Sequence, residues 1–472
     1  MIETLPGKKI HFVGTKGAGM APLAKLLKEM GYEVSGSDKL EQFPTDKILA
    51  DAKIIATEFD VHNLENKPDL VVISAAYSKE NPEVKEAYKK RLAVKPYSEV
   101  LGIISKNYQT IAVAGIHGKT TTAALISFLL KKANFDPTYL IGAGEIFPLG
   151  SSAHAGKGDY FVVEADEYRK SFEDPSPKFL DLSPQIEIIT SIEMDHPDIY
   201  LSEEDIYHAF YKFACHLPRN GFIVLNTDYP KAKKLQRSLV DREIVSYGLE
   251  KASFQIINLT ENPTETTFML AHKGENLGPF RLAIPGLANV LNATAAIITC
   301  RHLEIEEKII KKYLCQFLGV KRRFEKIGQI DEIFIYDDYA HHPRAIKMTL
   351  EAARQKFPLF KIIAIFQSHT YSRTKALLSD FAQSFKNSDK VIITDIYSSR
   401  EKEKTISGFE LSQEVKRHQR SVKYIAEKEK IVQEILDTAS GKTLIITIGA
   451  GDVYKIALEI FESLKNEKSQ NN

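Results

Sequence analysis

An apolar run that ends in two glycines, a lysine and three threonines leaves a chain few ways to fold. Ile111 to Gly115 reads as a buried strand, and from Thr120 to Lys132 the apolar residues recur at helical spacing. Residues 115–120 are therefore the turn between strand and helix. Such a turn suits a phosphate. Gly115 and Gly118 let the main chain approach an anion, the N–H groups opening the helix point at it, Lys119 adds positive charge, and the hydroxyls of Thr120 and Thr121 reach phosphate or a magnesium ion. The usual phosphate loop is spaced G-x-x-x-x-G-K-[ST]; here Val113 holds the outer position and the spacing is G-x-x-G-K-T. A plain connecting turn would explain the glycines but not the lysine and threonines behind them.

With 472 residues the chain exceeds one hydrophobic core, and two to four domains are expected. Lys and Arg total 63 against 62 for Asp and Glu, so no global field draws nucleic acid or an anionic membrane. The three cysteines, Cys215, Cys300 and Cys315, lack metal spacing and are expected to be small buried side chains of a reducing compartment. Strand Lys9–Val13 follows the start so closely that no signal peptide is expected, and no apolar run nears membrane-spanning length. A cytoplasmic location is the expectation.

The first hundred residues alternate strands and helices: a strand at 10–13, the turn 14–20 with Gly14, Gly17 and Gly19, a helix at 22–30, and a strand at 33–36 leading to Ser37 and Asp38. Glycines in the first turn and an acid after the second strand are the arrangement that holds a nucleotide's phosphates and ribose, although the spacing is G-x-x-G-x-G and the acid could simply cap the next element. In the second segment the strand ending at Glu164 is followed by Asp166 and Glu167, where Glu164 is the candidate metal carboxylate and the other two are readable as solvated turn residues. A strand over 187–192 leads to Asp195 and His196, which stand at the same sheet edge as Lys119 and Glu164. Further strands with few helices between them predict a mixed or antiparallel extension. A helix is expected from about Asn289, where Asn289 and Asn292 could cap it or meet a ligand. In the last segment four strands end in polar clusters: Asp337 to Pro343, Gln367 to Arg373, Asp395 to Glu401 and Gly449 to Asp452. Together they predict another doubly wound sheet with a ligand edge. The tail from 465 is expected to fray.

The loop Gly115–Thr122, Glu164–Glu167, Asp195-His196, Asn292-Ala293, Arg322-Arg323 and Asp337–Pro343 closely resemble, in order and along essentially the whole chain, the Mur ligase family. These are the ATP-dependent enzymes that build the peptide stem of peptidoglycan precursors. The shortened phosphate loop is that family's own form. The resemblance implies an α/β fold in three domains: an N-terminal Rossmann-like domain (1–107), a central P-loop ATPase domain with a mixed sheet (108–320) and a C-terminal Rossmann-like domain (321–472). It also implies UDP-N-acetylmuramate, ATP and magnesium as ligands, and a monomer or weak homodimer. The C-terminal motifs, Phe366–Thr374, Asp395–Ser399 and Gly449–Asp452, are of the L-alanine-adding type. Residues 164–168 and the spacer to 184 look more like the branch that recycles a whole tripeptide. Ala288 departs from the family, where His often precedes Asn289.

The implied roles follow residue by residue. Lys119 stabilises the transferred phosphoryl group. Thr120 and Glu164 hold magnesium, with a second ion near His196. Gly115, Gly118, Thr121, Asn292, Arg323 and Asp338 contact ATP, while Gly14, Gly17, Gly19, Ser37 and Asp38 take the UDP end. His342, His369 and Arg373 hold the amino acid. The other readings are tripeptide addition, a regulatory ATPase that ligates nothing, and, from the first turn alone, a nicotinamide-dependent oxidoreductase.

Overall fold

Each stretch of strand–helix alternation closes into a sheet of its own. The computed structural model describes residues 4–171, 173–399 and 401–471, so Arg400 of the third polar cluster lies outside the described residues. The first sheet is wholly parallel, in the order Ala56–Thr57, Glu33–Ser37, Lys9–Val13, Leu70–Ile73, Ala93–Pro96. Its crossover helices bury one face each, Leu23, Leu26 and Leu27 on Met20–Glu29, and Val84 and Ala87 on Pro82–Lys89. Asn81 caps the second of these through its side-chain oxygen, with Pro82 in the first turn. The first helix begins at Met20, two residues ahead of expectation, because Gly19 rather than a polar side chain is its N-cap.

The second sheet has ten strands in the order Glu275–Leu282, Thr266–His272, Phe254–Glu261, Glu243–Gly248, Phe222–Asn226, Ile186–Ile189, Gln109–Ala114, Tyr160–Glu164, Thr138–Leu140, Ala153–His154. The pairs in the middle are parallel and those at both edges antiparallel, which is the mixed extension the sequence predicts. The central strands are near-continuous apolar runs, as strands covered on both faces must be. Helices Lys119–Lys132 and Leu287–His302 pack on each other and are buried along most of their length. The second starts at Leu287 with Gly286 as N-cap, so Asn289 and Asn292 lie inside the helix and do not cap it.

The third sheet runs Glu325–Ile330, Ile333–Asp338, Thr443–Ile448, Lys361–Phe366, Lys390–Ile393, Val422–Tyr424, parallel except for its first pair. Just before it, Gly319–Val320 pairs antiparallel with Ile146–Phe147, stitching the approach to the third sheet onto the second. Two expectations are corrected. The tail continues the helix Tyr454–Asn471, whose inner face (Ile456, Ala457, Ile460) packs on the sheet. Of the cysteines, Cys300 is buried, but Cys215 is exposed and Cys315 partly so.

Candidate active site

Register brings the functional groups together. Gln109 pairs with Tyr160 and Ile111 with Ile186, which sets Glu164 opposite Val113 and Ile189 opposite Ala114. The loop at 115–118, the acids at 164–167 and the segment 190–196 therefore leave one sheet edge side by side, the carboxyl edge where α/β sheets bind ligands. Both loop glycines have left-handed φ, +128° at Gly115 and +82° at Gly118. A methyl group at Gly115 would collide with the Thr190 hydroxyl, and one at Gly118 with the Asn292 side-chain oxygen. As N-cap, Gly118 supplies no side chain, so the first N–H groups of helix Lys119–Lys132 are left for an anion.

Around this loop the charges are matched closely. Lys119 Nζ donates to Glu167 Oε2 at 2.8 Å and Oε1 at 3.0 Å, and to the Gly115 carbonyl at 2.5 Å. Burial works against the ammonium, but Glu167 and Asp166 overcome it and raise its pKa. Glu167 is thus no solvated turn residue: it is 2 % exposed. Asp166 is likewise taken, by Lys178 Nζ at 2.6 Å. Glu164 Oε2 accepts the Thr120 hydroxyl at 3.1 Å, and its Oε1 accepts the Gly142 N–H at 2.7 Å. Burial raises its pKa in spite of Lys119 and Arg323. His196, with φ +52°, sets Nε2 3.4 Å from Glu167 Oε1 and 3.7 Å from Asp195 Oδ2. Burial opposes its charge, yet Asp195 and Glu167 raise its pKa.

The third sheet reaches this edge directly. Arg323 Nη2 donates to the Thr120 hydroxyl at 3.3 Å. Arg373 Nε donates to Asp195 Oδ1 at 2.8 Å, with both side chains no more than 5 % exposed, while Nη2 lies 3.4 Å from His196 Nδ1. His369 stands 3.3 Å from Arg373 and stacks on Tyr397. Three of the expected ligand residues have protein partners here. Asp338 accepts the N–H groups of Phe324 and Ala340 at 2.7 Å each, so it fixes the turn carrying Arg323. His342 caps helix Pro343–Lys356 through Nδ1 and meets the Met194 carbonyl through Nε2 at 3.1 Å, so both its nitrogens are engaged by the protein. Burial and the neighbouring His117 lower its pKa to about 4, so the ring is neutral. Asn292 accepts the Thr122 hydroxyl at 3.2 Å, committing its oxygen to the loop.

The first turn is also rearranged. Gly14 N and Thr15 N donate to the Ser37 carbonyl at 2.9 and 3.0 Å, and Lys16 N donates to Asp38 Oδ2 at 2.7 Å. Asp38 further accepts the Tyr77 hydroxyl at 2.9 Å, and the Ser37 hydroxyl is bonded to buried Glu83. Asp38 does not cap the next helix, Asp46–Asp51, whose N-cap is Thr45; it ties the first turn to the second strand's end, and both Ser37 and Asp38 are buried. Gly14 and Gly19 admit the rings of Tyr77 and Tyr97, which a Cβ would approach to 2.5 and 2.8 Å. What stays accessible is the stretch 16–19 at the helix start, including Gly17 and Gly19.

Sequence reasoning passed over His117 and Glu193. His117 Nε2 lies 2.6 Å from Glu193 Oε1, its ring 4.7 Å from that of His342, and Glu193 also takes Arg344 at 3.3 Å. A histidine inside the glycine loop was the available signal. The spacer 168–184 folds onto the helix Tyr97–Ser105: Gly102 and the Asp181 main chain are in close approach, and Phe179 stacks on Phe213. At its other end Tyr168 sets its ring edge-on 4.9 Å from that of His196, the histidine that Arg373 also approaches, and donates its hydroxyl to Asp198 Oδ2 at 2.8 Å.

Thr120 and Glu164 offer adjacent hard oxygens at the anion-binding helix end, and His196 with Glu167 offers a second nitrogen–oxygen pair, so the donor set fits magnesium beside a nucleotide. A phosphate loop on one sheet, completed by arginines from the next, defines an ATP-dependent ligase. Family models agree over three stretches: "Mur ligase family, catalytic domain" at 9–109, "Mur ligase middle domain" at 113–300 and "Mur ligase, glutamate ligase domain" at 322–451. The chain belongs to the Mur ligase family. It is 39% identical to a UDP-N-acetylmuramate–L-alanine ligase of Desulfitobacterium hafniense, covering 95% of this chain and 98% of that one, and 40% identical to its namesake of Alkaliphilus metalliredigens, covering 95% and 96%. Among solved structures, the UDP-N-acetylmuramate-alanine ligase of Thermotoga maritima superposes with TM-score 0.83 at 26% identity, covering 97% of this chain and 99% of that one. A murein peptide ligase of Psychrobacter arcticus shares the fold, with TM-score 0.73 at 24% identity and coverage of 98% and 99%. No helix among the described residues is long and apolar enough to cross a membrane.

Proposed function

We propose that this chain joins L-alanine to the carboxylate of UDP-N-acetylmuramate, with ATP cleaved to ADP and phosphate, in three domains divided near 107/108 and 320/321. The observation that carries this reading is the meeting of the two sheets at one edge, Thr120 of the phosphate loop with Arg323 and Asp195 with Arg373. A phosphorylating site and an amine-receiving domain thereby share one edge. The full-length relatives named for L-alanine support that amine.

The carboxylate oxygen attacks the γ-phosphorus, ADP leaves, and the amine nitrogen then attacks the acyl phosphate carbon, expelling phosphate. Attack of one anion on another needs charge neutralisation, which Lys119 and Arg323 provide on the phosphoryl oxygens. Magnesium, when bound at Thr120 and Glu164 with a second ion at His196, adds Lewis-acid stabilisation of the same charge. Gly115, Gly118 and Thr121 hold phosphate through the loop, and the Asn292 amide nitrogen is the group we assign to adenine. Gly17 and Gly19 receive the sugar nucleotide's phosphates. His369 and Arg373 take the amino acid, for which Arg373 must turn one face of its guanidinium from Asp195. The buried pairs lining the edge exclude water from a hydrolysable intermediate.

The test is phosphate release with ATP and UDP-N-acetylmuramate, comparing L-alanine, glycine, L-serine and L-Ala-γ-D-Glu-meso-diaminopimelate. L-Alanine should stimulate strongly and the others weakly. Stimulation by the tripeptide alone would transfer the assignment to the recycling branch, and a flat response to every amine would sink the ligation reading.

A further inference from the structure

The carboxylate of Glu167 and the terminal phosphate of a nucleotide require the same lysine. Glu167 holds Lys119 with both oxygens, and its main chain is fixed by the Tyr200 hydroxyl, which donates to the Glu167 carbonyl at 2.6 Å. The other acids of the edge have partners of their own: Lys178 for Asp166, Arg373 for Asp195, and the Thr120 hydroxyl and Gly142 N–H for Glu164. Glu193 has His117 and Arg344, so among the described acids of the edge Glu167 alone is hydrogen-bonded to the lysine that the nucleotide must take. We propose that Glu167 makes nucleotide binding conditional on a divalent cation: it withholds Lys119 from metal-free nucleotide, and joins His196 in holding the cation when metal and nucleotide enter together. The inference rests on the ATP-site reading above.

Two physical points carry it. A phosphate entering without metal meets a carboxylate within a few ångströms in a buried site, where like charges repel far more strongly than in water. A cation between them turns that repulsion into a bridge. Geometry allows the bridge, since neighbouring ligands of octahedral magnesium, each at about 2.0–2.1 Å, stand about 3 Å apart. Glu167 Oε1 and His196 Nε2 are 3.4 Å apart, a few tenths from that spacing. Magnesium prefers oxygen to imidazole, so a histidine alone is a poor holder and a carboxylate beside it is needed. Glu167 is the carboxylate nearest to His196 Nε2.

The experiment is calorimetric titration of the full chain with ATP, without sugar nucleotide, once in EDTA and once in excess magnesium, for wild type and Glu167→Gln. Wild type should bind ATP well with magnesium and poorly in EDTA. Glu167→Gln should bind in EDTA at least about tenfold more tightly than wild type, since its amide no longer competes for Lys119. The ratio of its two dissociation constants should shrink by a similar factor. Where Glu167→Gln does not fold, Glu167→Ala removes the same competitor and carries the same expectation. An EDTA affinity equal to or weaker than that of wild type would overturn the proposal while leaving the ATP site standing. Wild type that binds no ATP under either condition would overturn the ATP-site reading itself, and the proposal with it.

Discussion

Replacing Asp195 by Asn removes the charge that Arg373 meets at 2.8 Å, in a pair no more than 5 % exposed on either side. Breaking a buried ion pair from one side leaves the other charge uncompensated, at a cost of about 3–5 kcal/mol. Because Asp195 belongs to the second sheet's segment and Arg373 to the third's, the chain has another way out: parting the two domains rehydrates Arg373. The figure is thus a ceiling on the loss, and some of it should appear as loosened domains. The pH dependence has a definite sign. His196 has a raised pKa in the folded chain, chiefly through Asp195, so its contribution is present below the ordinary histidine range and fades as pH rises through the folded value. Asp195 is held well below the carboxylate range by His196 and Arg373 against the effect of burial, so its contribution is present above the ordinary Asp range and is lost only in strong acid. The two overlap between about pH 4 and 6.5, where both groups are charged. Asp195→Asn should therefore lower the melting temperature more at pH 5.5 than at pH 8.5, and raise the radius of gyration in small-angle scattering. Equal melting at both pH values with an unchanged radius would refute the view that this pair holds the domains together.

Lys119→Ala should reduce turnover by about a hundredfold or more, as loss of a charge-stabilising donor does, without altering the binding of UDP-N-acetylmuramate; retained turnover in the phosphate-release assay would remove Lys119 from the chemistry. Gly115→Ala forces a side chain to φ +128° and into Thr190, so a backbone cost of about 1–3 kcal/mol and at least tenfold weaker ATP binding by calorimetry are expected. Glu83→Ala strips a buried carboxylate from His11, Ser37, Asn63 and the Asp60 N–H. Since the Ser37 carbonyl holds the first turn, KM for the sugar nucleotide should rise while KM for ATP stays; parallel rises in both would mean a general loss of structure.

Strand positions and the phosphate loop were readable because their signals are local. Apolar runs over 361–366 and 443–448 end where the strands end, and G-x-x-G-K-T admits little besides a strand-to-helix turn. What escaped was the choice of partner. Glu167 and Asp338 are acids following strands, like Glu164, and nothing in their neighbours announces that one turns onto Lys119 and the other onto the Phe324 and Ala340 amides. That choice depends on which strand lies alongside. Asp38 shows the same limit: the acid at the end of a second strand serves a ribose or its own main chain, depending on whether Tyr77 and Lys16 N reach it first. Asn292 was legible as important but not as a loop support, because its helix packs across the loop from 170 residues further along the chain.

The side-by-side delivery of 115–119, 164–167 and 190–196 also sets which changes of length the chain can absorb. A residue gained or lost within Tyr160–Glu164 would shift Glu164 by about 3.3 Å along the strand and turn it to the opposite face, parting it from Thr120. An insertion between 173 and 176, in the turn beyond the Arg169–Pro177 bridge, would lengthen that turn and leave the alignment intact. The tolerance for indels should thus change abruptly past the Arg169–Pro177 bridge, so the turn it closes is the part in which branches of one family can diverge in length without disturbing the chemistry beside it.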